Sequence, residues 1–245
     1  MMPLDSDTAL LLTHRVLGMG LVIQSAELFV TRQIFAPGGA LAGRSVTWLL
    51  LLRGLLACWL VMTPNPPTSI NSAALLLGLL GSSVWLTVRA RGPLCGGSDS
   101  MFFQVQLGLG IAAFGFIDPV LIRIGLGWIA AQSILSYFLA GVAKLQHGGW
   151  RNGRALQNLF AARGPYVLLT GTRAVAQSQP LCALLGWGIL LFELGFPGLL
   201  ILPLEGKLVW LGLGLAFHVA NAALLGLNRF IWAWAATYPA LLHFQ

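Results

Sequence analysis

Charge is what this chain has least of. Asp, Glu, Lys and Arg together make up 9% of its 245 residues, against about 25% in a typical soluble domain. Only two residues are lysines, Lys144 and Lys207, and only seven are acidic. The three cysteines, Cys58, Cys95 and Cys182, stand far apart and form no CxxC pair. That spacing excludes a disulfide scaffold, a zinc ribbon and a thioredoxin-type redox motif. The four histidines, His14, His147, His218 and His243, show no HExxH and no metal-ligand spacing, so no metal is expected. There is no Walker A loop and no GxSxG elbow, which removes the usual signatures of nucleotide hydrolysis and serine-type acyl transfer. No period of 20 to 50 residues is visible, and no low-complexity tail.

What fills the chain instead is apolar surface. Hydrophobic residues make up 57% of it and the mean hydropathy is +0.82, more than a soluble fold of this size can bury. Several stretches approach the roughly 20 apolar residues needed to cross a bilayer. The reading is therefore an all-α, polytopic integral membrane protein. Eight apolar segments can be drawn: 8–30, 46–63, 72–90, 100–117, 120–143, 182–202, 208–227 and 229–243. Turn signals separate them, among them Pro64-Asn65-Pro66-Pro67 and Asp118-Pro119. The start, MMPLDSDTAL, is acidic and shows no cleavage site, so the first segment reads as a retained helix. A single membrane domain spans 1–245, with no room for a folded soluble one.

The formal charge of +7 comes mostly from loop arginines. In such a chain this points to topology and lipid headgroups as partners, with no nucleic acid. Alternating spans gather Arg32, Arg44, Arg89, Arg91, Lys144, Arg151, Arg154, Arg163, Arg173 and Arg229 on one side, leaving little beyond Arg15, Arg123 and Lys207 on the other. The positive-inside rule makes the first side cytoplasmic and places both termini on the far side. Between the fifth and sixth segments, GWRNGRALQNLFAARG (149–164) puts Trp150, Leu156, Leu159 and Phe160 near one helical side and its arginines elsewhere. Such a segment is expected to be amphipathic and to lie along the membrane interface.

Ionisable groups inside spans cost several kcal/mol unless paired or wetted, with insertion scales giving about 2.5–3.5. Arg53 lies near the centre of VTWLLLLRGLLACWLV; Gln24 and Glu27 share one face of the first helix. Arg53 can pair with Glu27 or with Glu193 and simply hold helices together. Glu193 precedes Pro197 by four residues, so its carbonyl loses the proline's hydrogen bond and a kink is expected there. His218 and Asn221 lie three apart in LAFHVANAAL, on one helical face. Lys144 closes the fifth segment behind SYFLAGVAKLQ, with Tyr137 and Gly141 seven and three residues upstream. It is either a headgroup anchor or a reactive amine at a pocket mouth. The LGLG run at 211–214 reads as glycine for close helix packing.

The segment SYFLAGVAKLQHGGWRNGRALQNLF (136–160) resembles the signature of the horizontally transferred transmembrane (HTTM) domain family, through Tyr137, Ala140, Gly141, Val142, Lys144, Leu145, Trp150, Gly153 and Leu156. Three further stretches are similar to the family in order and spacing. They are DSDTALLLTHRVLGMGLVIQSAEL (5–28), GGSDSMFFQVQLGLG (96–110), and LFELGFPGLLILP followed by LGLAFHVANAALLGLNRF (191–230). The best-understood member is the vitamin K-dependent gamma-carboxylase. The resemblance implies chemistry at a reduced quinone, with Lys144 as the base that deprotonates the quinol before oxygen adds. The product is an epoxide, and the alkoxide formed on the way abstracts a proton from a glutamate side chain. It implies catalytic roles for Lys144 and His218, and a cofactor-binding set of Asn221, Tyr137, Asp99 and Glu193. A base must be a neutral amine, and burial disfavours the charged form of a lysine. The chain departs from the carboxylase in having Asp99 where that enzyme has a histidine, and Ala143 where it has one of two paired lysines. Residues 1–245 also hold nothing that corresponds to its large lumenal domain. A quinol-dependent oxidase, epoxidase or carboxylase of a small substrate keeps the same residues. The alternatives are a non-catalytic subunit that scaffolds pigment, lipid or a partner membrane protein, and a transporter with a site at the Pro197 kink, for which no inverted repeat is visible.

Overall fold

A computed structural model describes residues 4–31, 43–90, 96–161 and 172–244. Every regular element among them is helical. In chain order they are α1 (Ser6–Thr31), α2 (Arg44–Met62), α3 (Ile70–Ala90), α4 (Gly97–Ala112), α5 (Val120–Gln146), α6 (Gly148–Arg151), α7 (Arg154–Ala161), α8 (Thr172–Ala176), α9 (Gln179–Gly195), α10 (Leu204–Leu225), α11 (Asn228–Ala235) and α12 (Tyr238–His243). The protein is thus an all-α, multi-pass integral membrane protein.

Six helices among the described residues are long and apolar enough to cross a membrane, where eight segments were expected. Two segments account for the difference. Residues 100–117 are divided between α4 (Gly97–Ala112, 16 residues) and the 3-10 turn Ala113–Phe116 that continues it, and this stretch is not among the six. Residues 229–243 break into α11 and α12 at Ala236-Thr237, ahead of Pro239, which occupies the first turn of the new helix. The spans leave large apolar side chains exposed, Leu184 at 70% and Val209 at 66% among them. Lipid is the natural cover for such a surface.

The chain divides into two compact units. One runs to Ala130 and resumes at Trp232–Phe244; the other is Ala131–Ile231. In the first, Leu28, Val46, Leu50 and Leu86 form a core shared by α1, α2 and α3. Its N-terminal turn is capped by Asp5, whose carboxylate accepts from the Thr8 amide at 2.9 Å. That bond holds the Asp5 carboxyl below the ordinary aspartate range.

In the second unit, Ser178 caps α9 by accepting from the Leu181 amide, and Pro180 fits its first turn. The expected kink at Pro197 takes the form of a change of helix type. The Glu193 carbonyl, denied the proline's hydrogen, accepts from Phe196 instead, and the chain continues as a 3-10 helix over Phe196–Ile201. Gly226, with φ 73°, ends α10. Its amide bonds the Ala222 carbonyl, the five-to-one bond of an αL cap, and the Leu227 amide bonds the Asn221 carbonyl.

The segment after α5 is helical, as α6 and the strongly amphipathic α7. Its apolar side turns inward: Leu156 and Phe160 are buried against Cys182 of α9, with Trp150, Val175 and Ile189 around them. Arg151 and Arg154 face outward and Leu159 is exposed, while residues 162–164 lie outside the described stretch. The apolar stripe that suggested membrane contact is thus largely spent on the protein's own helices. Two smaller expectations also change. Lys207, placed in a loop, is enclosed within α10 at 1% exposure. Gly212 faces open space among the described residues, so close packing does not explain it.

Candidate functional site

The second unit brings four of the six expected site residues into two polar pairs on α5. Lys144, in the last turn of α5, points its amine at Glu193 of α9. The Nζ atom lies 2.7 Å from Oε1 and 2.8 Å from Oε2. The carboxylate side is 4% exposed and the lysine side chain 20%, so this is a largely enclosed ion pair. The amine also lies 5.2 Å from the centre of the Trp150 ring, a cation–π distance. Lys144 is therefore held by Glu193 and Trp150 inside the unit.

Two turns back along α5, about 10 Å by helical rise, Tyr137 forms the second pair. Its hydroxyl lies 2.7 Å from Nε2 of His218 on α10, and both side chains are buried. The phenol donates when the imidazole carries its hydrogen on Nδ1. Aromatic rings enclose the pair. Tyr137 stacks on Phe196 at 3.8 Å between centroids, meets Phe192 edge-on at 5.6 Å, and Phe192 stacks on Trp210. Phe217 and Phe230 flank the imidazole.

One residue makes both pairs possible. A Cβ on Gly141, midway between Tyr137 and Lys144, would sit 3.0 Å from Glu193 Cβ and 3.0 Å from the Leu194 backbone nitrogen. Hydrogen at that position lets α9 lie this close, with Glu193 and Phe196 meeting α5 on either side of it, where a methyl would push Glu193 and Leu194 back by a few tenths of an ångström. Asn221, one turn beyond His218, is half-buried and contributes its backbone carbonyl to the α10 cap.

Asp99 belongs to the first unit, at the start of α4, within a different polar cluster. Its Oδ1 accepts from Gln24 Nε2 at 2.5 Å, and Gln24 Oε1 accepts from Arg53 at 2.6 Å. The guanidinium also donates to Ser25 and Ser83, and Ser83 bonds Gln106. These bonds engage both terminal nitrogens of Arg53, and such pairing lowers the cost of burying a guanidinium. A cavity of about 420 Å³ opens beside the cluster, lined by Val84, Thr87, Val88, Asp99 and Phe103. Glu193, the other acid considered for Arg53, is engaged by Lys144.

The HTTM domain family model matches residues 123–245. The chain belongs to the HTTM domain family. No curated protein matches it, and no solved structure does. The matched HTTM region contains Tyr137, Lys144, Glu193, His218 and Asn221; Gln24, Arg53 and Asp99 lie outside it. Among the described residues no group of three His, Cys, Asp or Glu side chains could hold a metal.

Sequence reasoning expected Glu193 or Asp99 within reach of a cavity lined by Lys144, His218 and Asn221 without pairing Lys144 to either acid, and it missed the enclosure of Lys207. The only signal for the pairing was compositional. Glu193 is the one acidic residue between Asp118 and Glu205, on an adjacent apolar segment.

Proposed function

We propose that this HTTM protein is a membrane enzyme related to the gamma-carboxylase, working on a lipid-soluble quinol. Lys144 is its base, Glu193 the partner of that base, and Tyr137 with His218 the hydrogen-bonding pair for a quinol oxygen. The observation that carries the reading is the amine of Lys144. In a chain with two lysines, one is fixed by a carboxylate inside an apolar unit, on the same helix as a buried phenol–imidazole pair. A structural ion pair alone gives no reason for the second polar pair beside it.

The residues present fit such a cofactor. Phe192 packs ring to ring with Phe196, Trp210 and Phe217, an aromatic cluster whose chemistry suits a flat apolar ring, and the two polar pairs supply donors and acceptors at separate heights along α5. When bound, a quinol supplies an acidic hydroxyl and electrons for oxygen. The chain's own part is proton handling. With the pair charged at rest, the Lys144 Nζ proton passes over 2.7 Å to Glu193 Oε1. The neutral amine then accepts the incoming hydroxyl proton, leaving an ammonium beside a carboxylic acid, with charge and protons balanced. The Tyr137–His218 pair orients an oxygen by hydrogen bonding, and the surrounding rings exclude water. Asn221 adds an amide one turn away.

Mass spectrometry of the lipid extract from gently purified protein tests this. Stoichiometric quinone that is lost in a His218→Leu, Tyr137→Phe double variant supports the reading. A preparation free of quinone that also fails to take up added quinol removes it and leaves the scaffold role, in which pigment or a stoichiometric protein partner co-purifies.

A further inference from the structure

The helical pair after α5 is clamped onto α9 by contacts that serve no obvious purpose in the membrane. A Cβ on Gly186 would lie 2.6 Å from the Trp150 carbonyl oxygen. Gly153, at φ +81°, leaves room for the backbone of Gln179, Cys182 and Ala183, where a Cβ would fall within 2.9 Å of all three. Gln179 donates to the Asn152 carbonyl at 3.2 Å. Leu156 and Phe160 then bury against Cys182. Glycine at 153 meets both demands at once, since the left-handed backbone and the close approach each disfavour a side chain.

This clamping fixes the position of one side chain in particular. Trp150 lies at the clamped end of α6 with its ring 5.2 Å from Lys144 Nζ. The amine has the Glu193 carboxylate at 2.7 Å and this indole as its second partner. A cation attracted to the π-face is held without a hydrogen bond, which leaves the direction of the amine's hydrogens to other acceptors.

We propose that Trp150 is a positioning residue for Lys144. Its ring, set by the packing of Gly186 and Gly153 on α9, covers the amine and holds it against Glu193. This rests on Lys144 being the reactive amine, but its test does not depend on turnover.

The chain has two lysines, so amine labelling reports on each of them separately. The full-length protein in detergent is treated with formaldehyde and cyanoborohydride, and the methylation rates of the Lys144 and Lys207 peptides are followed by mass spectrometry. Trp150→Ala is expected to raise the rate at Lys144 by roughly three- to tenfold, the range a lost cation–π contact allows. Trp150→Phe retains a ring and is expected to stay within about twofold of the unmodified protein. Gly186→Ala alters neither Lys144 nor the indole, yet displaces the Trp150 backbone, and is expected to raise the Lys144 rate as well. Lys207, enclosed in α10, should not change in any of the three. An unchanged Lys144 rate in Trp150→Ala overturns the proposal. So does a rise at Lys207 that matches the rise at Lys144, because the effect is then global loosening. If quinol binding fails while the labelling pattern holds, the brace stands and the chemistry assigned to its lysine falls.

Discussion

Replacing both members of the Lys144–Glu193 pair should cost far less than replacing either one. At an effective dielectric of about 20, unit charges ~3 Å apart attract by about 5–6 kcal/mol. Desolvating a carboxylate that is only 4% exposed returns most of that. The intact pair is therefore near break-even against a well-packed apolar pair, whereas a lone survivor keeps its desolvation cost with no partner. Glu193→Leu alone should destabilise by about 2–4 kcal/mol. Lys144→Met should do the same or slightly less, since the lysine side chain is 20% exposed. The double variant should lie within about 1 kcal/mol of the unmodified protein, giving a coupling of roughly 3–8 kcal/mol in a double-mutant cycle, close to the sum of the two single losses. Reversible unfolding in mixed detergent micelles, read by tryptophan fluorescence, supplies the four stabilities. A double variant whose loss equals the sum of the two single losses refutes the reasoning, because the two groups would then not sense each other.

Gly141→Ala should destabilise by about 1–3 kcal/mol through overpacking at Glu193 and Leu194. Spectroscopic labels on α5 and α9 should show the two helices further apart. Tyr137→Phe leaves the His218 Nε2 without its phenol partner and should cost about 1–3 kcal/mol in the same unfolding assay. Arg53→Met strands the Gln24 and Ser83 acceptors and should cost a similar amount, with no effect on Lys144 methylation. Asp5 titrates below its ordinary range when folded, so its cap on α1 is complete above that range and is lost as pH falls through the lowered value. The protection factor of the Thr8 amide, its exchange slowed relative to the intrinsic rate at each pH, should fall in acid, and Asp5→Ala should abolish that fall.

The class of fold was legible because it depends on composition and run length, which a bilayer reads directly. The number of crossings was less so. Residues 100–117 and 229–243 read as apolar segments, but the first is divided between α4 and a 3-10 turn and the second between α11 and α12 at Ala236-Thr237. Hydropathy does not register either event. Lys207 was misplaced because α10 starts right after Pro203, upstream of the apolar run that marked it. Tyr137, Lys144, Glu193 and His218 stood out as expensive or unusual residues in apolar segments. Their pairing did not, since Lys144 and Glu193 are 49 positions apart and their contact depends on the thinness of Gly141 at the α5–α9 crossing. Periodicity located the faces within each helix and left open which faces meet. Arg53 illustrates the same limit, because its neutral partners Gln24, Ser25 and Ser83 carry no charge signal to suggest them.

The base assignment is tested most directly by Lys144→Arg, assayed for oxygen uptake with saturating quinol. Arginine keeps the positive charge and can still pair with Glu193, so the variant should insert, purify and unfold like the unmodified protein. It cannot give up its proton, so its quinol-dependent turnover should fall to background while the unmodified protein consumes oxygen. Undiminished turnover in Lys144→Arg would contradict the account, as would the absence of any quinol-dependent oxygen uptake by the unmodified protein.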